Sequence, residues 1–382
     1  MNKQNKFSTF AVIVAVTLAL SSCTKNEDLT TNSSYADRSA DVTAQQEGYM
    51  YTMSNEPTNK ILIYKQLSDG TLSSMGSMVT GGMGSGTGLG TQGAVILDDN
   101  HQWLYAVNAG DNTISSLQVH ADGSLSSAKT VNSEGFLPVS LTVHGNWLYA
   151  VNGGTSTIAG FMIGTDGSLT YIHGSNLSLS APNAEPGEIK FSPDGKVVYV
   201  TEKATNTITS YIIDDHGVAG HPKFTPSTGD TPFGFDFSGE NYMIVSDAFG
   251  GADNQGAATS YAIDNSGTVS TINGPLKNGQ TAPCWVVITR NGQYAFTSNT
   301  NNNTISVYEV MPDGTIRRQA PRAATTDDAP IDICLSSNNH YLYVVNQIGH
   351  TIGEYKVAAG GRLNLIAKIS GIPDFTTGLA GF

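Results

Sequence analysis

The sequence predicts an all-β protein, a seven-bladed β-propeller of four-stranded blades whose ring is closed by N- and C-terminal strands sharing one blade. Three observations carry this expectation. First, one alternating apolar phrase ending in a small polar residue recurs seven times. The copies are YTMSN, LYAVN, LYAVN, VYVTE, MIVSD, AFTSN and LYVVN, ending at Asn55, Asn108, Asn152, Glu202, Asp247, Asn299 and Asn346. Their spacings of 53, 44, 50, 45, 52 and 47 residues match the period of a four-stranded propeller blade. Second, a tight turn follows each copy, at Asp69-Gly70, Asp122-Gly123, Asp166-Gly167, His216-Gly217, Ser266-Gly267, Asp313-Gly314 and Gly360-Gly361. Glycine there accepts the positive φ of a hairpin turn. Third, 42 glycines with only 13 % charged residues exclude a coiled coil, and the abundance of Val, Ile, Tyr and Phe excludes a disordered chain.

Taken in order, the chain opens with a leader. Lys3 and Lys6 precede an apolar run over residues 10–20, too short to span a bilayer of ~30 Å as a helix but suited to a secretory signal. The run ends in Leu20-Ser21-Ser22-Cys23, which resembles the lipobox of bacterial lipoproteins, with Cys23 as the lipidated first residue of the mature chain. Residues 1–22 are therefore expected to be removed, and residues 23–47, polar and without apolar periodicity, to form a flexible tether. Each unit of the propeller, residues 48–382, then holds a first strand, opening with Pro138, Pro186, Pro232, Pro283 or Pro330 in five cases. The phrase itself is the second strand, segments such as Asn303-Thr304-Ile305-Ser306 form the third, and a fourth follows the tight turn. The N-terminal unit lacks its first strand, and residues 373–382 supply an unpaired one, so their pairing completes the seventh blade and leaves no open sheet edge.

These LYVVN-type phrases, NTISVY-type strands and DGSL-type turns resemble the YVTN or lactonase family of seven-bladed propellers, which includes bacterial 6-phosphogluconolactonases and fungal carboxymuconate-lactonising enzymes. The resemblance covers the whole toroid and implies a lactone-opening hydrolase. Where family lactonases have a Gly-Pro-Arg-His phrase, this chain has Ala184-Glu185-Pro186-Gly187-Glu188-Ile189, and where Arg follows Ser-Asn it has Ser298-Asn299-Thr300. The His-Pro-His phrase of another blade is here Leu137-Pro138-Val139. Of that constellation Glu202 is kept.

Blade geometry gathers the phrase-final residues and the loops entering each first strand at one face, here called upper. Those loops add Glu185, Glu188, Asp230, Asp327, Asp328, Asp332 and Asp374, against few bases: Lys203, Lys277 and Arg322. A phosphosugar needs Arg or Lys clamps, so the expected substrate is a non-phosphorylated lactone. Glu202 and His350 are the candidate catalytic residues; Asn152, Asn299, Gln280 and Trp285 are candidate substrate contacts. Oxygen-rich Glu202 and Asp247, with Asn152 or Asn299, also fit a divalent cation such as calcium, which could polarise a lactone carbonyl. The same ring of Asn and Asp equally arises from side chains bonding their own backbone where strands end. The run at residues 81–93 (GGMGSGTGLGTQG) matches no phosphate-loop motif and reads as a lid over the channel or as a plain flexible insertion.

Two function classes follow: an envelope lactonase, or a non-catalytic propeller binding a glycan, peptide or protein partner. The expected location is the outer membrane, attached through the lipid alone and either periplasmic or surface-exposed, with the protein a monomer. A net charge of −13 speaks against a nucleic-acid partner.

Overall fold

Strands of six to eight residues cannot bury a face alone, and here they pair into seven antiparallel sheets. The computed structural model describes residues 48–382; the expected signal peptide, Cys23 and the tether lie outside the described residues. Blade one joins Thr377–Gly381 to Gly48–Met53, Lys60–Gln66 and Leu72–Val79. Blade two holds Val95–Leu97, Trp103–Asn108, Thr113–Val119 and Leu125–Asn132. Blade three holds Pro138–His144, Trp147–Asn152, Thr157–Ile163 and Leu169–Tyr171, with Leu177–Ser178 alongside. Blade four is Pro186–Phe191, Val197–Glu202, Thr207–Ile212 and Lys223–Pro226; blade five is Pro232–Ser238, Tyr242–Asp247, Ala257–Ile263 and Val269–Lys277. Blade six is Pro283–Ile288, Tyr294–Asn299, Thr304–Val310 and Ile316–Thr325, and blade seven is Pro330–Leu335, Tyr341–Asn346, Thr351–Ala358 and Arg362–Ser370. First strands of successive blades touch all the way round, including Thr377–Gly381 between blades seven and two.

The repeated phrase owes its residues to packing. Its strand is buried in every blade, whereas the outermost strands are exposed or half-buried over most of their length. The phrase tyrosines reach the tight turn of the next blade: Tyr51 donates to the Gly123 carbonyl (2.9 Å), Tyr149 to Gly217 (2.6 Å) and Tyr343 to Gly70 (2.8 Å). Each bond fixes one blade to its neighbour at a buried hydroxyl that needs a partner. Gly123 shows why the turn keeps glycine: its φ is +76°, and a Cβ there would sit 2.0 Å from the Tyr49 ring.

One register differs from the sequence reading. Tyr51 occupies the position of Tyr149, so the strand-final equivalent of Asn152 is Ser54, whose N–H bonds the Lys60 carbonyl at 2.8 Å. Asn55 lies one residue beyond, at φ +53°, and its amide holds the glycine-rich segment, donating to the Thr87 carbonyl (2.7 Å) and accepting from the Ser85 N–H (2.9 Å).

Candidate functional site

The first strand of every blade has one edge with no strand beside it, so its N–H groups need other acceptors. Side chains two and four residues after the opening proline supply them across four of the blade boundaries. Ser140 accepts from the Ile189 N–H (3.2 Å), Glu188 from Phe235 (2.7 Å) and Asp332 from Gly378 (2.7 Å). Thr142 accepts from Phe191 (2.9 Å) and Asp236 from Ile288 (2.8 Å). Several of these groups also face a central cavity of about 520 Å³, with Lys190, Arg290 and Cys334. Its upper end is formed by Gln92 and Gly93; at the other end it reaches the turns between first and second strands, through Asp98, Asp99 and His101 in blade two and Asn339 in blade seven.

Burial sets the electrostatics. Glu188 is pushed up to about 8 by burial, against the opposing pull of Lys190 and the Phe235 N–H. Asp332 is pushed up to about 6 by burial, its shift limited by the Gly378 N–H and the Thr377 hydroxyl, which donates at 3.1 Å. Burial disfavours the Lys190 ammonium, but Asp236, 2.6 Å away, and Glu188 outweigh it and hold its pKa above the ordinary lysine value. The result is one carboxyl that keeps its proton at neutral pH, one that loses it, and a fixed positive charge in the same cavity.

The phrase-final residues take up other places. Glu202 is fully buried inside blade four, where the Ser180 N–H (3.1 Å) and the hydroxyls of Ser180, Thr205 and Thr209 all donate to its carboxyl. Asp247 is fully buried in blade five and accepts from Thr259 (2.6 Å); burial pushes it up to about 7. Asn299 donates to Thr304 (3.0 Å) and Ser306 (2.9 Å), and Asn152 to the Ser133 carbonyl (3.0 Å). Asp247 and Asn299 tie strand ends of their own blades, while Asn152 and Glu202 also hold the segments that enter blades three and four, the capping behaviour that the sequence left open beside the cation reading. Among the described residues no three His, Cys, Asp or Glu side chains converge on one point. Gln280 is buried and accepts from the Thr304 hydroxyl at 2.9 Å. Trp285 lies at the closed end, its ring 4.9 Å from Phe233 and its N–H bonded to the Thr91 carbonyl (3.0 Å). His350 sits exposed in an upper loop, its Nδ1 3.6 Å from Asp374. Cys284 and Cys334 are free thiols.

Sequence reasoning placed Glu188 and Asp332 among the acidic loops and passed over Lys190, Asp236 and Arg290. A signal was present. Lys190 and Asp236 stand four residues after Pro186 and Pro232, and a charged side chain in a buried innermost strand needs a partner.

Comparison with known proteins agrees with this architecture. The model of a family described as lactonase, 7-bladed beta-propeller, matches residues 12–183, 179–250 and 247–331. No curated protein matches the chain. A candidate 6-phosphogluconolactonase from Bacteroides uniformis is 19 % identical over 88 % of this chain and 100 % of its own, with a TM-score of 0.73. One from Bacteroides fragilis is 17 % identical over 90 % and 100 %, with a TM-score of 0.73. The periplasmic gluconolactonase of Pseudomonas aeruginosa is 15 % identical over 87 % and 99 %, with a TM-score of 0.69. At these identities the likeness is one of fold.

Proposed function

Because the chain belongs to the family of seven-bladed β-propeller lactonases, we propose that it hydrolyses an uncharged, non-phosphorylated lactone in the central cavity, at the cell envelope, tethered by a lipid on Cys23. The observation that carries this reading is one cavity lined together by Glu188, Lys190 and Asp332, with burial pushing Asp332 up to about 6 and Glu188 up to about 8. Carboxyls whose environments hold them in different protonation states divide the base and acid roles between them. The Asp332 carboxylate takes a proton from water, and the water oxygen bonds to the lactone carbonyl carbon. The Lys190 ammonium faces the negative charge that develops on the carbonyl oxygen. The ring C–O bond then breaks, Glu188 gives its proton to the leaving oxygen, and the product is a hydroxy acid. The proton left on Asp332 returns to Glu188 through water, restoring the starting state.

The lining also argues for an uncharged substrate. Asp98, Asp99, Glu188, Asp236 and Asp332 face only Lys190 and Arg290, and Lys190 is already bonded to Asp236. A phosphate would meet repulsion and a single unengaged guanidinium. The test is purified protein assayed by acid release on aldonolactones and their phosphorylated counterparts. Turnover of the neutral lactones is expected; folded protein that opens none of them overturns the reading.

A further inference from the structure

Seven of the thirteen residues in Gly81–Gly93 are glycine, a composition that in isolation reads as flexibility. The structure uses it for the opposite purpose, because this segment touches every blade. In blade one, Gly84 N–H bonds the Glu56 carbonyl (2.8 Å) and Asn55 clamps Ser85 and Thr87. In blade two, the Met83 carbonyl accepts from Gly110 (2.9 Å) and its N–H donates to Asp111 (3.0 Å). In blade three, Thr91 donates to the Val139 carbonyl (2.8 Å) and the Gly93 carbonyl accepts from Leu141 (2.8 Å). Blade four holds Gln92 N–H at the Gly187 carbonyl (3.0 Å) and reaches the Gly90 carbonyl with the Lys203 ammonium (2.8 Å). In blade seven, the Gln347 side chain comes close enough that a Cβ added at Gly88 would lie 3.5 Å from its amide oxygen.

Blades five and six explain why the contact is specific. Where other blades carry Glu188 or Asp332 two residues after the proline, blade five has Gly234, so the free edge of blade six lacks the acceptor its neighbour supplies elsewhere. Gln92 reaches across the channel into that gap. Its amide oxygen accepts from the Val286 N–H (2.9 Å) and its NH₂ donates to the Val286 carbonyl (2.7 Å), so one side chain satisfies both backbone groups. A Cβ on Gly234 would fall 2.2 Å from that oxygen. Gly84 shows the same economy of space: a Cβ there would lie 2.2 Å from the Asn55 carbonyl carbon.

The geometry points to a fixed plug: Gly81–Gly93 seals the upper end of the channel, with Gln92 as its positioning residue, so that the central cavity admits ligand only from the lower face. A cavity of about 520 Å³ closed at one end accepts a molecule of sugar size and refuses a polymer that would have to thread the ring. This rests on the proposed reaction only for the choice of cavity, and its test needs no turnover. In the full chain carrying Cys23→Ser, amide exchange of residues 81–93 should be about a hundredfold or more slower than in an unstructured peptide. In Gln92→Ala, exchange should quicken in residues 81–93 and 283–288 and stay unchanged in the other blades. Exchange of the segment at the unstructured rate, or no change on Gln92→Ala, overturns the plug. The route is read from Cys334, which lines the cavity. A bulky maleimide on Arg290→Cys, at the lower rim, should slow reaction of Cys334 with a small disulfide reagent, and the same label on Gly88→Cys should leave it unaffected. The reverse pattern overturns entry from below, and either result stands whether or not a lactone is opened.

Discussion

The two ends of the channel are built from the same repeat and have opposite characters. At the upper end Glu202, Asp247, Asn152 and Asn299 are fully buried and bonded to neighbouring hydroxyl and backbone groups, though one oxygen each of Asp247 and Asn152 has no partner, and Gln92 bonds both groups of Val286. Along the innermost strands below it, Glu188, Lys190, Asp236 and Asp332 face open volume, and Glu188, Asp236 and Asp332 bond across blade boundaries. A polar side chain at the end of a second strand finds partners in adjoining strand ends and loops, whereas one on an innermost strand has only the neighbouring edge and the cavity. The difference teaches that which strand carries a polar residue, more than its type, separates chemistry from capping in this fold.

The sharpest break in that comparison is Glu188→Gln. It removes the proposed acid while keeping the side chain's shape, and kcat for lactone opening should fall by about 10²- to 10⁴-fold. In the unsubstituted protein kcat/KM should decline below about 6, as Asp332 gains its proton, and above about 8, as Glu188 loses its own. A flat profile across that range would remove both residues from the mechanism.

At the upper end the expected losses are in stability. Gly234→Ala should cost about 1–3 kcal/mol, measured by denaturant unfolding, because the methyl displaces Gln92 and meets the Cys284 carbonyl. Glu202→Gln turns an NH₂ toward groups that all donate, and should also cost about 1–3 kcal/mol while turnover per folded molecule stays unchanged. Loss of turnover in folded Glu202→Gln would restore the upper ring as a site.

A smaller effect is the pH dependence of stability. Glu188, Asp332 and Asp247 hold protons in the folded state that an unfolded carboxyl has released, so their contribution is complete below about 4 and is lost as pH rises toward about 8. Tm should therefore fall between pH 5 and 8 at fixed ionic strength, and less steeply in Glu188→Gln. The smallest effect belongs to His350→Ala: an exposed side chain with one 3.6 Å contact should change stability by less than about 0.5 kcal/mol and leave turnover intact.

The architecture was legible because its signals repeat. Seven copies of one phrase and seven glycine turns reflect backbone requirements that every blade shares, and even the closing strand at residues 377–381 follows from counting. The site was legible only in part because its residues occur once each. Lys190 and Asp236 fall in first strands whose other copies carry Thr142, Val287 or Cys334, so no repetition draws attention to them. At Glu202 repetition could not separate the two readings, because a shared capping position and a shared ligand ring leave the same pattern in the sequence. It also hid the one-residue offset that makes Asn55 a clamp in place of a strand end. For Gly81–Gly93 composition pointed the wrong way, since glycine permits close approach as readily as it permits motion.

Closure by the chain's last strand gives synthesis a fixed order of events. Until residues 377–381 have been made, Gly48–Met53 lacks its inner neighbour and blade seven faces an open seam, so a nascent chain carries two sticky edges until the closing strand is synthesised. The strand pairs that complete blade one join residues more than three hundred positions apart, a topology that assembles slowly. The terminal Phe382 takes part, exchanging backbone bonds with Tyr49 and stacking 4.7 Å from His101 at the rim of the cavity. A tag fused directly after Phe382 is thus attached to the latch itself, and a spacer there protects ring closure and the lower entrance alike.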